Sequence, residues 1–221
     1  MIGRCDFHTH SFLSDGHLLP MEQLRRAYAK NHVAYAITDH VGSNMDVIEK
    51  IKSDCEYATK HWGIAAIPGV ELTHVPVESI DELAQKAIDN GALIVVMHGE
   101  TIVEPVDPGT NLKAANCSSI DILAHPGLIT KDEANACKKN DVYVEITSNR
   151  GHSLTNGHVV NVGRNENVKF IFNTDTHSPG DMLSYDLAKE VVQGAGLSKD
   201  ETDEVLQENT RSFLAMILER I

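Results

Sequence analysis

Hydrophobic residues along the chain gather into seven short runs: "RCDFHTH", "HVAYAITDH", "GIAAIPGVEL", "GALIVVMHG", "SIDILAHPG", "DVYVEITS" and "VKFIFNTDTH". Each is rich in Val, Ile, Leu, Ala or Phe and is bounded by Gly, Asp, Asn or Pro, the signature of a strand. The segments between them carry helix signals. "LLPMEQLRRAYAKN" places Pro20 near a helix start, and Ser79 with Glu82, Thr130 with Glu133 and Ser198 with Glu201 are spaced as capping boxes. Gly63 and Gly91 follow helical runs where a left-handed cap is expected. Strands that are apolar almost throughout, alternating with helices, predict a parallel sheet buried on both faces. No linker, repeat or low-complexity tract interrupts the pattern, so a single domain over residues 1–221 is expected. The longest irregular stretch, "HGETIVEPVDPGTNL", follows a strand and reads as a site loop.

The polar residues decide between an open and a closed sheet. His8 and His10 end the first run, Asp39 and His40 the second, Glu71 the third, His98 the fourth and His125 the fifth. Glu145, Arg150 and His152 end the sixth, and Asp175 and His177 the seventh. In a closed parallel barrel these ends form one ring, where such barrels carry their sites, whereas an open sheet would hold its edge residues too far apart. A single α/β barrel of about seven βα units is therefore predicted.

Within "DFHTH", strand alternation sends His8 and His10 to the same side. Two adjacent imidazoles repel when protonated and lose hydration when buried; a metal ion relieves both, because it binds neutral nitrogen. The chain holds 12 histidines in 221 residues. Imidazole and carboxylate without a convincing thiolate suit zinc, manganese or iron better than calcium or magnesium. The four cysteines (Cys5, Cys55, Cys117, Cys137) are scattered and read as reduced thiols, with Cys5 and Cys117 in the core. A formal net charge of −13 argues against bulk binding of nucleic acid or an anionic membrane. The opening residues lack the apolar stretch of a secretory signal, and no run approaches the roughly 20 apolar residues of a membrane helix, so a cytoplasmic location is expected. Whether the chain forms a homo-oligomer is open at this level.

In this order, "DFHTHSFLSDG", "ITDH", "GVE", "HG", "AHPG" and "NTDTH", spanning residues 6 to 177, resemble the polymerase and histidinol phosphatase (PHP) family. The resemblance implies a distorted (β/α)7 TIM-like barrel and a site of two or three divalent ions (zinc, manganese or iron). The metal ligands it implies are His8, His10, Asp15, His40, Glu71, His98, His125, Asp175 and His177. Glu71 would bridge two ions, and Asp15, Glu71 and His177 would stand at the reaction. His17 is the alternative to Asp15 as a ligand, or else faces the substrate. The implied activity is hydrolysis of a small phosphomonoester such as histidinol phosphate by a hydroxide held between ions. Arg150, on the sixth-strand loop with His152, Asn156 and His158 nearby, is placed to grip a phosphate, with Asn156 beside it. Asp39 reads as a support to a neighbouring ligand, Glu145 as no ligand, and His32 and His61 as surface or helix residues. Three other readings stay open: a nucleotide or oligonucleotide phosphoesterase of the same family, a C–N hydrolase of the amidohydrolase type, and a non-catalytic barrel subunit. The second usually needs a strand-end lysine that this chain lacks, and the third usually goes with lost ligands or a basic surface.

Overall fold

The computed structural model describes residues 4–220; residues 1–3 and 221 of the expected domain lie outside the described residues. Among the described residues eight strands form: β1 (Arg4–Asp6), β2 (His32–Ile37), β3 (His40–Val41), β4 (Ala65–Leu72), β5 (Ile94–His98), β6 (Ile122–Ala124), β7 (Tyr143–Thr147) and β8 (Phe170–Asn173). The helices are α1 (Pro20–Ala29), α2 (Val47–Trp62), α3 (Ile80–Asp89), α4 (Thr110–Ala115), α5 (Lys131–Lys139), α6 (Asn156–Glu166), α7 (Tyr185–Gly194), α8 (Lys199–Asp203) and α9 (Thr210–Leu218). All pairings are parallel, in the order β1-β2-β4-β5-β6-β7-β8, and β3 pairs with β4 as the resumption of the second run after a break at Thr38–Asp39. This is the predicted (β/α)7 TIM-like barrel, nearly closed.

Its seam, between the first and last strands, is held partly by side chains. β1 ends at Asp6, short of the predicted strand, so only Thr9 and Thr176 form a bridge beyond it. The Phe7 amide donates to Asn173 Oδ1 at 2.9 Å, and the Thr174 amide donates to Asp6 Oδ1 at 3.1 Å. Backbone bonds from Asp175 N to His8 O (3.0 Å) and from His10 N to Thr176 O (2.8 Å) finish the closure. The motifs "DFHTH" and "NTDTH" are thereby locked side by side.

Alternation sorts the strands' side chains. Ala34, Ala36, Ile67, Ile94, Val96, Ile122, Ala124, Tyr143 and Ile171 share one cluster inside the barrel. Val70, Leu72, Val95, Met97, Leu123, Val144 and Phe172 point outward and pack with helix residues such as Leu83, Ala134 and Val159. Phe213 and Ile217 of α9 join the interior cluster, with Phe213 centred 4.8 Å from Phe7 and 5.0 Å from Tyr143. The last helix thus fills the end of the barrel opposite the strands' C-terminal ends, where hydrophobic burial excludes water.

Thr130 and Ser198 form the predicted capping boxes. Ser79 does not: it ends a short 3₁₀ turn with φ −92° and ψ −5°, not the extended backbone of an N-cap, and its hydroxyl donates to Pro76 O at 2.7 Å. Gly63 takes the left-handed cap expected of it (φ 73°), and Gly91 also has positive φ. The irregular stretch after β5 ends at Gly109, because Thr110 opens α4. All four cysteines are free; Cys117 is buried, and Cys5 is half-buried against the barrel interior.

His32 departs from the surface or helix reading. It starts β2, is only 4% exposed, and its Nδ1 pairs with Ala27 O at 3.1 Å while its Nε2 has no partner. Burial, then the nearby Arg4 charge, pushes its pKa down to about 3. Between the ordinary value near 6.5 and about 3, the unfolded chain binds a proton that the folded chain does not, so stability falls as pH falls through this window. At pH 5 this one residue should cost about 2 kcal/mol. Urea unfolding at pH 7 and pH 5 is expected to show a smaller acid loss for His32→Gln than for the unsubstituted protein; equal losses would exclude His32 as a source.

Candidate metal centre

Strand parity delivers part of the centre. Glu71 stands four residues beyond the interior residue Ile67, His98 two beyond Val96, and Glu145 two beyond Tyr143, so all three continue the inward face beyond the apolar core. His125 does not follow parity. Ala124 points inward, so the next residue of a regular strand would point out; instead His125 takes φ 27° and turns toward Glu71. Asp175 is likewise left-handed, with φ 52°. Positive φ is costly for residues with a Cβ and is kept where surrounding structure enforces it, commonly at functional sites. Asp15 arrives on the loop after β1. Asp39, fully buried, accepts from Ser11 N, Ser11 Oγ and Ser14 Oγ, each at 2.6 Å, and so ties that loop down. A Cβ on Gly16 would collide with the His10 carbonyl, so only glycine lets the loop turn back this tightly.

The rings are oriented from behind. His8 Nδ1 donates to Glu145 Oε1 (2.8 Å), and His177 Nδ1 donates to the Asp175 carbonyl (2.9 Å). Glu145 also accepts from Asn173 Nδ2 and from the His125 amide. With Nδ1–H engaged, the neutral ring presents the Nε2 lone pair forward, the arrangement that prepares histidine to ligate a metal. His8 Nε2 then faces Glu71 Oε1 at 3.4 Å and Asp175 Oδ1 at 3.7 Å. His177 Nε2 faces Asp15 Oδ1 at 3.3 Å, and His40 Nε2 faces the same oxygen at 3.4 Å. The two oxygens of Glu71 are divided. Oε1 meets His8 and His125 (3.5 Å), while Oε2 meets His10 (3.6 Å) and His40 Nδ1 (2.8 Å).

The carboxylates are held ionised. Burial pushes Glu71 and Asp175 up, but the facing imidazoles outweigh it and keep both below the usual carboxylate range; His177 and His40 do the same for Asp15 against its partial burial. Burial lowers His40, yet Glu71 and Asp15 raise it to about 10. His10, buried, is pushed down.

This donor set fits divalent metal ions. His8 Nε2, both ring nitrogens of His10, Glu71 Oε1, His125 Nδ1 and Asp175 Oδ1 are buried without a hydrogen-bond partner among the described residues. Buried polar atoms are normally paired, and imidazole nitrogens facing carboxylate oxygens at 3.1–3.9 Å need a proton or a metal ion between them. Ligand atoms lie within 4.8 Å of one another in several groups: His10, Asp15, His40 and His177; His8, His10 and Asp175; His8, Glu71 and His125; His98, His125 and His152; His74, His98 and Glu104. Every residue of the expected ligand set occurs in at least one group.

The remaining expected site residues divide. Arg150, exposed, lines the mouth of the centre, a cavity of about 600 Å³ shared with Asn149, Val103 and Glu104. His17 is exposed and outside the cavity; only its amide is engaged, donating to His177 O, so Asp15 is the one that reaches the imidazoles. Asn156 is also outside it. It is buried, donates to Thr147 O (2.7 Å) and accepts from Thr147 N (3.3 Å), so its amide finishes β7 and does not face the mouth. Glu104 and His74 come forward as cavity residues that the motif pattern does not select. Nothing in sequence separates Glu104 from Glu100 in the same loop, although Glu100 turns away to accept from Gly109 and Asn111 amides. No described helix is long and apolar enough to cross a membrane.

Comparison with known proteins adds the following. No family model matches the chain. A 73-residue stretch, 33% of this chain and 24% of the other, is 41% identical to a 5'-3' exoribonuclease of Haemophilus influenzae. Among solved structures, the chain superimposes on a histidinol phosphate phosphatase of Lactococcus lactis, crystallised with zinc, L-histidinol and phosphate. The TM-score is 0.60 at 14% identity, covering 90% of this chain and 95% of that one. An amidohydrolase superimposes with TM-score 0.64 at 12% identity, covering 98% and 75%. At such identities these likenesses are of fold. An uncharacterised protein of Methanocaldococcus jannaschii is 48% identical over 217 residues, covering 97% of this chain and all of the other. The chain belongs to the same family as that archaeal protein.

Proposed function

We propose that this protein is a metal-dependent phosphoesterase of the PHP type that hydrolyses a small phosphomonoester, of the class to which histidinol phosphate belongs. The observation that carries the reading is the convergence of unpartnered imidazole nitrogens and carboxylate oxygens beneath a mouth that holds an arginine. Divalent ions held here would supply Lewis-acid stabilisation of phosphoryl oxygens and activation of water. Asp15, His40 and His177 would hold them on one side, His8, His10 and Asp175 centrally, and His98 and His125 on the other. Glu71, with its two oxygens facing different imidazole pairs, is suited to bridge. Arg150 forms no ion pair among the described residues, which leaves its guanidinium for the two-pronged grip that a phosphate accepts. Glu145 holds the His8 tautomer in place from behind.

The reading draws support from the fold shared with the Lactococcus phosphatase. The amidohydrolase fold is equally near, but no lysine lines the mouth, which disfavours C–N hydrolysis by a lysine-dependent site. The stretch similar to an exoribonuclease keeps a nucleotide or oligonucleotide ester as the second reading. The net charge of −13 favours a small substrate over a long polyanion.

Three measurements test the proposal. Dialysis against a strong chelator should abolish phosphate release from p-nitrophenyl phosphate, and Mn²⁺ or Zn²⁺ should restore it; full activity in the metal-free protein would refute it. Arg150→Ala should raise KM for a phosphomonoester by about tenfold or more while metal content stays intact. Glu145→Gln should weaken metal affinity by about 10- to 100-fold, because the His8 tautomer loses its charged support, and elemental analysis after equilibrium dialysis would read this directly.

A further inference from the structure

The motif-derived ligand set leaves a second gathering of ligand atoms unexplained. After β5 the loop of residues 99–109 crosses back over the barrel mouth and brings in Glu104. Its Oε2 lies 3.0 Å from His98 Nε2 and 3.0 Å from His74 Nε2, and its Oε1 lies 3.5 Å from His152 Nε2. The start of the loop is held by two contacts. The Glu100 amide donates to Asn111 Oδ1, and Thr101 Oγ1 bonds His152 Nδ1 at 2.8 Å. His152 in turn stacks on His125, with ring centroids 4.1 Å apart. Glu104 is therefore placed by fixed neighbours.

The tautomer of His98 is what makes the contact informative. Its Nδ1 lies 3.2 Å from the Gly99 carbonyl, and opposite a carbonyl it can only donate. The neutral ring then carries its lone pair on Nε2, which faces a carboxylate oxygen across 3.0 Å at a site where His98 is 2% exposed. Two acceptors at that distance repel unless a proton or a metal cation lies between them. His74 Nε2 and His152 Nε2 lie 3.0 and 3.5 Å from the same carboxylate, and as Nδ1–H tautomers they turn lone pairs to the same place as His98 does. A cation accepts all of these lone pairs at once, and a mixed imidazole and carboxylate set suits zinc, manganese or iron.

We infer that Glu104 is a metal ligand additional to the motif-derived set, acting with His98 and His74 on one divalent cation at the outer side of the mouth, with His152 beside it. The inference rests on reading the centre as a metal site and does not depend on the reaction it performs. Glu104 is a partly exposed loop carboxylate set against the buried rings of His98 and His152 and the exposed ring of His74.

Mn²⁺ binding to the full-length protein, measured by equilibrium dialysis over rising free Mn²⁺ without substrate, tests it. Glu104→Ala and the isosteric Glu104→Gln, with folding checked by circular dichroism, should bind one Mn²⁺ fewer per chain, or bind the weakest ion at least about tenfold less tightly. His74→Ala should weaken the same step. His10→Ala should remove a different, tighter step and leave the Glu104-dependent one in place. Unchanged number and affinity in both Glu104 variants would overturn the inference and leave the phosphoesterase reading standing. Metal uptake that depends on Glu104, in a protein that releases no phosphate from any ester, would support the inference and overturn the phosphoesterase reading. A protein that binds no Mn²⁺ would overturn both.

Discussion

The centre of this molecule is a set of imidazole nitrogens and carboxylate oxygens that face one another and need positive charge, as protons or metal ions, between them. His8, His10, His40, His125 and His177 turn nitrogens toward Glu71, Asp15 and Asp175 in a space closed to water on the core side, and several of those atoms have no hydrogen-bond partner. Burial of this kind is tolerated only when the charges are matched, and the carboxylates stay ionised because imidazoles surround them. Much of the local architecture answers that demand. Glu145 fixes the His8 ring, Asp39 ties down the loop that carries Asp15, and His125 and Asp175 hold backbone conformations that regular strands avoid.

The barrel makes such a concentration affordable in structural terms. Its lower half is apolar, filled by alternating strand residues and closed by Phe213 and Ile217 of α9. Its upper half continues the same inward faces with acids and imidazoles. The seam joins the halves, because the Asn173 side chain bonds both the Phe7 amide and Glu145. Closure of the barrel and orientation of the His8 ring are therefore one hydrogen-bonded unit, and a disturbance at the seam reaches the His8 ring directly.

The elements and the ring of polar strand ends were legible because alternation and strand ends follow from local spacing. Glu71 and His98 are where strand parity puts them. His125 was legible as a strand-end residue but not as an inward-facing one, since its direction depends on a backbone turn at φ 27°. His32 was misread because a histidine at a strand start has no local sign of burial; α1 and the strand beside it bury it. Ser79 matched the capping spacing, yet the preceding turn set its backbone outside the extended range. Asn156 was grouped with Arg150 by proximity in sequence, but the start of α6 points its amide at β7.

A parallel α/β barrel and the residue types at its C-terminal rim are readable from local spacing, because a period of two and the punctuation by Gly, Asp and Pro are properties of neighbouring residues. Which of those residues meet depends on how the barrel closes. Loops have no period, so nothing local says that Glu104 reaches His98 while Glu100 turns to the amides that open α4, or that Asp15 comes to the imidazoles while His17 stays outside. Those choices are set by contacts between residues far apart in the chain, and they exist only once the barrel has closed.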